Sequence, residues 1–294
     1  MIDIEQYLEI KRKKINNELV LSLPQTGPAS VIEAINYSVE AGGKRLRPIL
    51  TIAVAETLGA EEDSVIALAC ALEYLHTYSL IHDDLPAMDN SDLRRGKLTC
   101  HRVYGEAIAV LAGDALLTLA FETIAKYGLR EGRESKAIQI IIELAAASGV
   151  AGMIGGQVLD LEGEGAALTL PEIENIAVKK TGALLKAAII IGAISADGTA
   201  AQKDALAAYA DNIGPAFQIV DDLLDCESTT EDLGKPAGAD QARYKATFPA
   251  ILGIDEARKQ AEYLYSRAVA ALDDLDRPTD LLEALARCMI YRNM

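Results

Sequence analysis

The sequence contains no tryptophan, and it has only three phenylalanines, three histidines and four cysteines among 294 residues. Cys70, Cys100, Cys226 and Cys288 are scattered and form no CxxC pair, which argues against a zinc centre or a disulfide framework. We interpret them as small buried groups in a reducing cytoplasm. A GxSxG motif and a Cys–His pattern are also missing, so nothing indicates a protein nucleophile.

Long uncharged apolar runs are missing as well. A membrane-spanning helix needs about 18 or more such residues. The nearest stretch, TGALLKAAIIIGAISADG, carries Lys186 and is too short. The opening segment, MIDIEQYLEIKRKKINNELV, is charged throughout, unlike a signal peptide. We therefore expect no membrane span and a cytoplasmic protein.

Positive charge is scarce, since 28 lysines and arginines face 44 aspartates and glutamates for a net charge of −16. This balance argues against non-specific binding to nucleic acid. An anionic substrate would instead need locally clustered cations against the acidic background.

The apolar residues recur at helical spacing through most of the chain. The segments SVIALACALEYLHTYSLI, EAIAVLAGDALLTLAFETIAKYG and QKDALAAYADNIGPAFQIVDDLLD are examples. Strand patterns with Asn-Gly or Asp-Gly turns are missing, and the breaks are too short for domain linkers. Candidate helix caps are Asp63, Ser64 and Thr169. The pattern predicts one all-α domain, residues 1–294, of roughly ten or more helices.

Two acidic motifs stand at the ends of apolar segments. In QIVDDLLD, the spacing of Asp221, Asp222 and Asp225 places carboxylates on one face of a helix. Like charges there destabilise a helix unless a cation joins them, and Mg²⁺ prefers such oxygen ligands. The alternative for each motif is an acidic helix end beside a solvated loop.

The first acidic motif, HDDLPAMD, contains Asp83, Asp84 and Asp89. Pro86 can end the helix, which lets Asp89 turn back toward Asp83. Because the carboxyl end of a helix is already electronegative, acids there favour a bound metal ion.

Three short segments concentrate cations. GGKRLRP contains Lys44, Arg45 and Arg47, and LRRGK contains Arg94 and Arg95. Glycine allows close backbone approach, and arginine matches phosphate oxygens. The alternative is a solvated basic surface.

The third segment, VKKTG, places Lys180 and Thr181 inside an apolar helix. Back-bonding by Thr181 could bend the helix and expose Lys180 to a cavity, although a lysine snorkelling at a helix edge is equally compatible. His76 and His82, taken alone, are more typical of satisfied core histidines than of ligands.

Together these motifs resemble those of the trans-isoprenyl diphosphate synthases, and most of all the bacterial farnesyl diphosphate synthases. The likeness rests on GGKRLRP, YSLIHDDLPAMDNSDLRRGKLTCH, GEAIAVLAGDALLTLAF, GGQVLDL, KKTGALLKAA, FQIVDDLLD and KPAGADQARYKATFP, in the family's order over residues 42–249. It implies an isoprenoid synthase bundle around a central apolar cavity, and a homodimer. The C-terminal LARCMIYRNM matches the family's basic ending only loosely.

The resemblance also implies an activity. Isopentenyl diphosphate would condense with dimethylallyl or geranyl diphosphate, giving farnesyl diphosphate and pyrophosphate. About three Mg²⁺ ions, or Mn²⁺ in their place, would bind between the acidic motifs. The implied metal ligands are Asp83, Asp89 and Asp221, with Asp84, Asp222 and Asp225 acting directly or through water. The implied allylic diphosphate site comprises Arg94, Lys180, Thr181, Gln218, Lys235 and Lys245. Gln157 would border it, as would Lys245, and Asp160 would orient nearby groups. The implied isopentenyl diphosphate site comprises Gly43, Lys44, Arg47, His76 and Arg95.

Product length is assigned by the same resemblance to Tyr78, five residues before Asp83, with the small Ser79 beside it. Five residues span about 7.5 Å along a helix axis, on the order of one isoprene unit. The alternative is that Tyr78 is simply a core residue. A geranylgeranyl diphosphate synthase is the alternative within the family.

Other classes fit less well. A terpene cyclase normally has an NDxxSxxxE motif where this chain has DDxxD, and a His-Asp metal phosphohydrolase would leave Asp221 to Asp225 unused. An inactive partner subunit would be expected to lose one aspartate motif, and both are intact.

Overall fold

The computed structural model describes residues 3–227 and 246–291. These residues fold into α-helices with one short β-hairpin, so the prediction of an all-α fold is confirmed. The helices in chain order are α1 (Ile4–Leu21), α2 (Ala29–Glu40), α3 (Leu46–Thr57), α4 (Glu62–Asp83), α5 (Cys100–Tyr104), α6 (Glu106–Gly128), α7 (Glu134–Ser148), α8 (Met153–Glu162), α9 (Leu170–Ala177), α10 (Ala183–Ser195), α11 (Ala200–Glu227), α12 (Phe248–Leu252), α13 (Ile254–Ala271) and α14 (Asp280–Ile290), with a π-helical turn at Val178–Gly182 and a 3-10 turn at Leu272–Leu275.

The three segments with the clearest helical periodicity lie in α4, α6 and α11, as predicted. Thr169 caps α9 through a capping box with Glu172. The predicted cap of α4 is wrong, because the helix begins at Glu62, ahead of both Asp63 and Ser64. Acidic residues favour the first turn of a helix, where they face its positive end, and this explains the earlier start.

The hairpin was not expected. Its strands, Leu93–Arg94 (β1) and Lys97–Leu98 (β2), pair antiparallel across a two-residue turn. Arg95 and Gly96 both have positive φ, at 55° and 74°, as such turns require. Strands of two residues are too short to show alternation, and arginine replaces the usual Asn or Asp at the turn.

Helix α4 lies at the centre of the bundle, packed between α3 and α6, while α11 packs against α10 and α13. One cluster of buried apolar side chains runs through the described residues from Ile15 to Ile290. Cys70 and Cys100 belong to it as expected, whereas Cys226 is exposed, contrary to the interpretation of all four cysteines as buried.

Three stretches are long and apolar enough to cross a membrane by length and composition: α4, α6 and the run Glu134–Glu162. They are not uninterrupted apolar runs, because each contains one or two charged side chains. Most of the α4 window, 72%, is buried inside the bundle, so the core accounts for its apolar length. In the α6 stretch and in the run Glu134–Glu162, only 39% of the window is buried, which leaves apolar side chains of α6 and α7 at the surface.

Candidate active site

The first acidic motif lies at the carboxyl end of α4, where Asp83 is the last helical residue. The following loop folds back, and the Asp89 backbone N–H donates to the Asp83 carbonyl at 2.7 Å. Asp89 therefore returns to Asp83, as predicted. Burial, reinforced by the nearby Asp89 carboxylate and opposed by Lys180, raises the pKa of Asp83 to about 6.

Asp84 follows directly but is only 3% exposed, and it faces Arg94 of the hairpin. Arg94 Nε lies 2.9 Å from each carboxylate oxygen, and its Nη2 lies 2.7 Å from Oδ1. Burial raises the pKa of Asp84 while the arginine opposes that shift. Here Asp84 and Arg94 satisfy each other, so the predicted metal role of one and phosphate role of the other would require them to share or exchange partners.

The second acidic motif lies on α11, and its three carboxylates differ in their surroundings. Asp222 accepts hydrogen bonds from Gln218 Nε2 at 2.8 Å and from the Phe248 backbone N–H at 3.1 Å. Asp222 and Asp225 are buried, whereas Asp221 is partly exposed and lies within electrostatic reach of Arg47. Of the three, Asp221 is the one placed to meet a ligand.

The π-helical turn at Val178–Gly182 directs the side chains of Lys180 and Thr181 toward α8 and α11. Lys180 Nζ binds Asp160 Oδ2 at 2.7 Å, and Thr181 Oγ1 donates to Gln218 Oε1 at 2.6 Å. The predicted back-bonding of Thr181 to its own helix is therefore wrong. The wider turn presents these side chains instead, as π-bulges often do.

The turn also depends on a glycine in α8. A Cβ at Gly156 would lie 2.3 Å from the Lys180 backbone nitrogen, so only glycine permits this approach. One turn further along α8 is Asp160, the partner of Lys180. The Nε2 of Gln157 is buried and makes no hydrogen bond within the described residues. Lys180 and Asp160 therefore form an ion pair, and Gln157 lies three residues before Asp160 on the same helix.

The predicted isopentenyl diphosphate residues form two contacts. Arg47 Nη1 lies 3.4 Å from His76 Nε2, and Arg95 lies across Gly43 and donates to the Gly42 carbonyl. Burial and the surrounding guanidinium groups, Arg47 first, hold the pKa of His76 well below its usual value. A neutral His76 can then accept the Arg47 hydrogen bond. Lys44 is exposed.

Arg45, the middle cation of GGKRLRP, has a different role. Its positive φ of 52° turns it inward, opposite to its neighbours. It forms a buried ion pair with Glu73 and also donates to Asn16 Oδ1 and the Val39 carbonyl. Sequence reasoning missed Glu73 because helical periodicity places it on the apolar face of α4 without indicating a partner. This arginine supports the GGKRLRP loop from inside the fold.

Both candidate product-length residues lie on α4, one to two turns before Asp83. Tyr78 is 6% exposed, and its ring meets that of His82 edge-on, with centroids 5.6 Å apart. Ser79 is partly exposed and donates to the His76 carbonyl. This placement is compatible with a ring that forms the floor of a product cavity, where it would stop chain growth, and equally with a core residue.

A metal centre is not preformed, since no three carboxylate, histidine or cysteine side chains in residues 3–227 and 246–291 are grouped to hold an ion. Mg²⁺ often binds through one or two carboxylates, with phosphate and water completing its shell. The turn that joins Asp83 to Asp89 supplies such a pair, and because burial raises the pKa of Asp83, a bound cation would favour its ionised form. The residues therefore fit Mg²⁺. Lys235 and Lys245 lie outside the described residues.

Comparison with known proteins agrees with this geometry. Residues 28–290 match the family model described as polyprenyl synthetase. The chain is 47% identical over 300 residues to farnesyl diphosphate synthase of Escherichia coli, covering 99% of this chain and 100% of that one. It is 46% identical to a chloroplastic geranylgeranyl pyrophosphate synthase 3 of Arabidopsis thaliana, covering 93% and 77%.

Among solved structures, a geranyltransferase of Helicobacter pylori complexed with magnesium and isoprenyl diphosphate superposes with a TM-score of 0.87 at 31% identity. That match covers 99% of this chain and 97% of the other. The fold and site define an all-α prenyltransferase. The chain belongs to the polyprenyl synthetase family. The prediction of an enzyme of this family is confirmed. Farnesyl and geranylgeranyl synthases are about equally similar, so similarity alone does not fix product length.

Proposed function

We propose that the chain is a Mg²⁺-dependent farnesyl diphosphate synthase that condenses isopentenyl diphosphate with dimethylallyl or geranyl diphosphate. The observation that carries this proposal is the pairing of two unlike regions. An acidic turn at Asp83 and Asp89 faces Lys180, while Arg47, His76 and Arg95 gather around the glycine loop. The first region suits a metal-bound diphosphate, and the second suits a diphosphate held by cations alone.

The carboxylates Asp83, Asp89 and Asp221 would hold about three Mg²⁺ or Mn²⁺ ions directly, and Asp84, Asp222 and Asp225 would support them directly or through water. When bound, Mg²⁺ neutralises charge on the diphosphate oxygens. Lys180 and Thr181 would orient the allylic diphosphate, together with Arg94, Gln218, Lys235 and Lys245.

The reaction needs no protein nucleophile. The C1–O bond of the allylic substrate breaks, and its electron pair leaves with pyrophosphate. The double bond of isopentenyl diphosphate attacks C1, and the proton lost from its C2 passes to the pyrophosphate. The cations of the site stabilise the departing charge, and an apolar cavity protects the allylic cation from water.

The farnesyl product is supported by Tyr78, whose buried ring stands one to two turns before Asp83. A ring at this depth would stop a chain after about one added isoprene unit. A geranylgeranyl product is the second candidate, favoured by the 46% identity to a geranylgeranyl pyrophosphate synthase.

The proposal extends to a single domain over residues 1–294 and a cytoplasmic homodimer. Exposed apolar side chains on α6 and α7 support the dimer, since Leu111, Ile138 and Ile142 are each more than half exposed. A second copy covering them would remove this surface from water. Light scattering of wild type and of a Leu111→Lys/Ile142→Lys variant would test this, with a monomeric wild type contradicting it.

The activity is tested by incubating the protein with isopentenyl diphosphate, geranyl diphosphate and Mg²⁺. Farnesol recovered after phosphatase treatment supports the proposal. Geranylgeraniol as the main product would favour the second candidate. Release of phosphate without an organic-extractable condensation product would favour a His-Asp type phosphohydrolase instead.

A further inference from the structure

His82 connects the proposed floor to the neighbouring helix. Its ring meets Tyr78 edge-on at 5.6 Å, with planes 86° apart, four residues along the same face of α4. Its Nε2 lies 3.0 Å from the Val110 carbonyl and 4.0 Å from Asp114 Oδ1, both on α6. His82 is therefore held from one side by Tyr78 and from the other by α6.

The space for this ring exists because residue 113 is glycine. A Cβ at Gly113 would lie 2.1 Å from His82 Nε2 and 2.4 Å from Cδ2, closer than any real contact. Gly113 sits in the interior of α6, where glycine is a poor helix former. Glycine at this position therefore lowers the helix propensity of α6 but leaves room for the His82 ring.

We propose that His82 and Gly113 are positioning residues for product length. Gly113 seats the imidazole against α6, and the imidazole braces the edge of the Tyr78 ring. This inference rests on the proposed function of Tyr78 as the floor of the product cavity. A braced ring blocks the growing chain in one orientation, while an unbraced ring can turn aside and admit a further isoprene unit.

The experiment compares product ratios, which a merely stabilising residue would not change. His82→Ala, Gly113→Ala and the double variant are each incubated with isopentenyl diphosphate, geranyl diphosphate and Mg²⁺. His82→Ala should raise the geranylgeranyl-to-farnesyl ratio about three- to tenfold, the range that an edge-to-face ring contact supports. Gly113→Ala should raise it as well, because its methyl group displaces the imidazole.

The double variant distinguishes a coupled pair from two separate effects. Without an imidazole there is nothing for the added methyl group to displace, so its ratio should not exceed that of His82→Ala. His82→Phe keeps a ring against Tyr78 and should return the ratio toward wild type. Thr118→Ala, exposed on α6, is the matched control and should leave it unchanged.

The outcomes separate this inference from the proposal on which it rests. If Tyr78→Ala leaves the products unchanged, the floor itself is wrong. If Tyr78→Ala lengthens the products while His82→Ala and Gly113→Ala do not, the floor stands and the brace is overturned. Additive effects in the double variant would also overturn it. Should His82→Ala not fold, Gly113→Ala and His82→Phe decide between the same outcomes.

Discussion

The guanidinium group of Arg45 lies 2.6 Å from the carboxylate of Glu73, and each side chain is only 2% exposed. This ion pair joins the loop that begins α3 to the middle of α4, the helix that ends in the first acidic motif. A buried charge deprived of its partner is strongly destabilising. The pair therefore fixes the glycine loop against the helix that carries Asp83.

Replacing Glu73 should lower stability far more than replacing an exposed acid. We expect Glu73→Gln to reduce the free energy of unfolding by about 3 kcal/mol or more, since Arg45 would remain buried without a counter-charge. Urea unfolding followed by circular dichroism measures this.

The matched control is Glu9→Gln. Glu9 pairs with Lys13 at 2.6 Å, but the side chains are 54% and 72% exposed. Solvent screens such exposed pairs, so Glu9→Gln should change the free energy of unfolding little. Equal losses for the two variants would contradict the structural role of Glu73.

The same loop shows how far sequence reasoning reached. Cations behind glycines indicated an anion site, and Arg47 lies beside His76 while Arg95 lies across Gly43. Arg45, between its neighbours in sequence, faces the interior because its backbone is left-handed. Propensity cannot foresee that turn, since it depends on a partner 28 residues away.

The acidic motifs were likewise predictable from the sequence only in part. Helical spacing predicted that the α11 carboxylates share a face, and Pro86 predicted the return of Asp89. Local sequence distinguishes Asp221 from Asp222 only in part. Gln218, four residues before Asp222, is one of its hydrogen-bond donors, but the other is a backbone N–H on another helix. The π-helical turn was beyond prediction for the same reason, since backbone contact with Gly156 accompanies it.

Variants of the two adjacent aspartates should therefore behave differently. Asp221→Ala should lower kcat about 10²-fold or more with little change in stability, as expected for a group that acts on developing charge. Asp222→Ala should in addition lower the free energy of unfolding by about 1–3 kcal/mol, since it leaves the buried Phe248 N–H unpaired. Steady-state kinetics and urea unfolding on both proteins check this, and equal stability losses would refute the distinction.

His76 should make stability depend on pH in the mildly acidic range. Its pKa is lowered on folding, so the unfolded chain takes up a proton that the folded protein resists. Stability is then lost as pH falls below about 6.5, by up to about 1.4 kcal/mol per pH unit, until the folded pKa is reached.

In His76→Gln this contribution disappears, so unfolding free energy should fall less steeply between pH 6.5 and 5 than in wild type. Urea unfolding at half-unit intervals of pH measures both slopes. Parallel curves for the two proteins would show that His76 is not held neutral in the fold.

Metal removal should abolish activity and metal binding should stabilise the fold. With EDTA we expect no condensation, and Mg²⁺ with pyrophosphate at about 100 times Kd should add about 2.7 kcal/mol of stability. Thermal unfolding measures the shift in Tm. Asp83→Ala should lose most of that shift, whereas Asp274→Ala, an acid in the 3-10 turn after α13, should keep it.

Tyr78 and Ser79 should respond differently to substitution, because the resemblance assigns both to product length but their environments differ. Tyr78 is buried against His82, while Ser79 donates to the carbonyl of its own helix. Tyr78→Ala removes the ring and should shift the main product from farnesyl to geranylgeranyl diphosphate or longer. Ser79→Ala should leave the product unchanged, since it loses only a local hydrogen bond. Chromatography of the phosphatase-treated products distinguishes the two. An unchanged profile for Tyr78→Ala would make Tyr78 a core residue, and longer products from Ser79→Ala would place the floor one residue nearer Asp83.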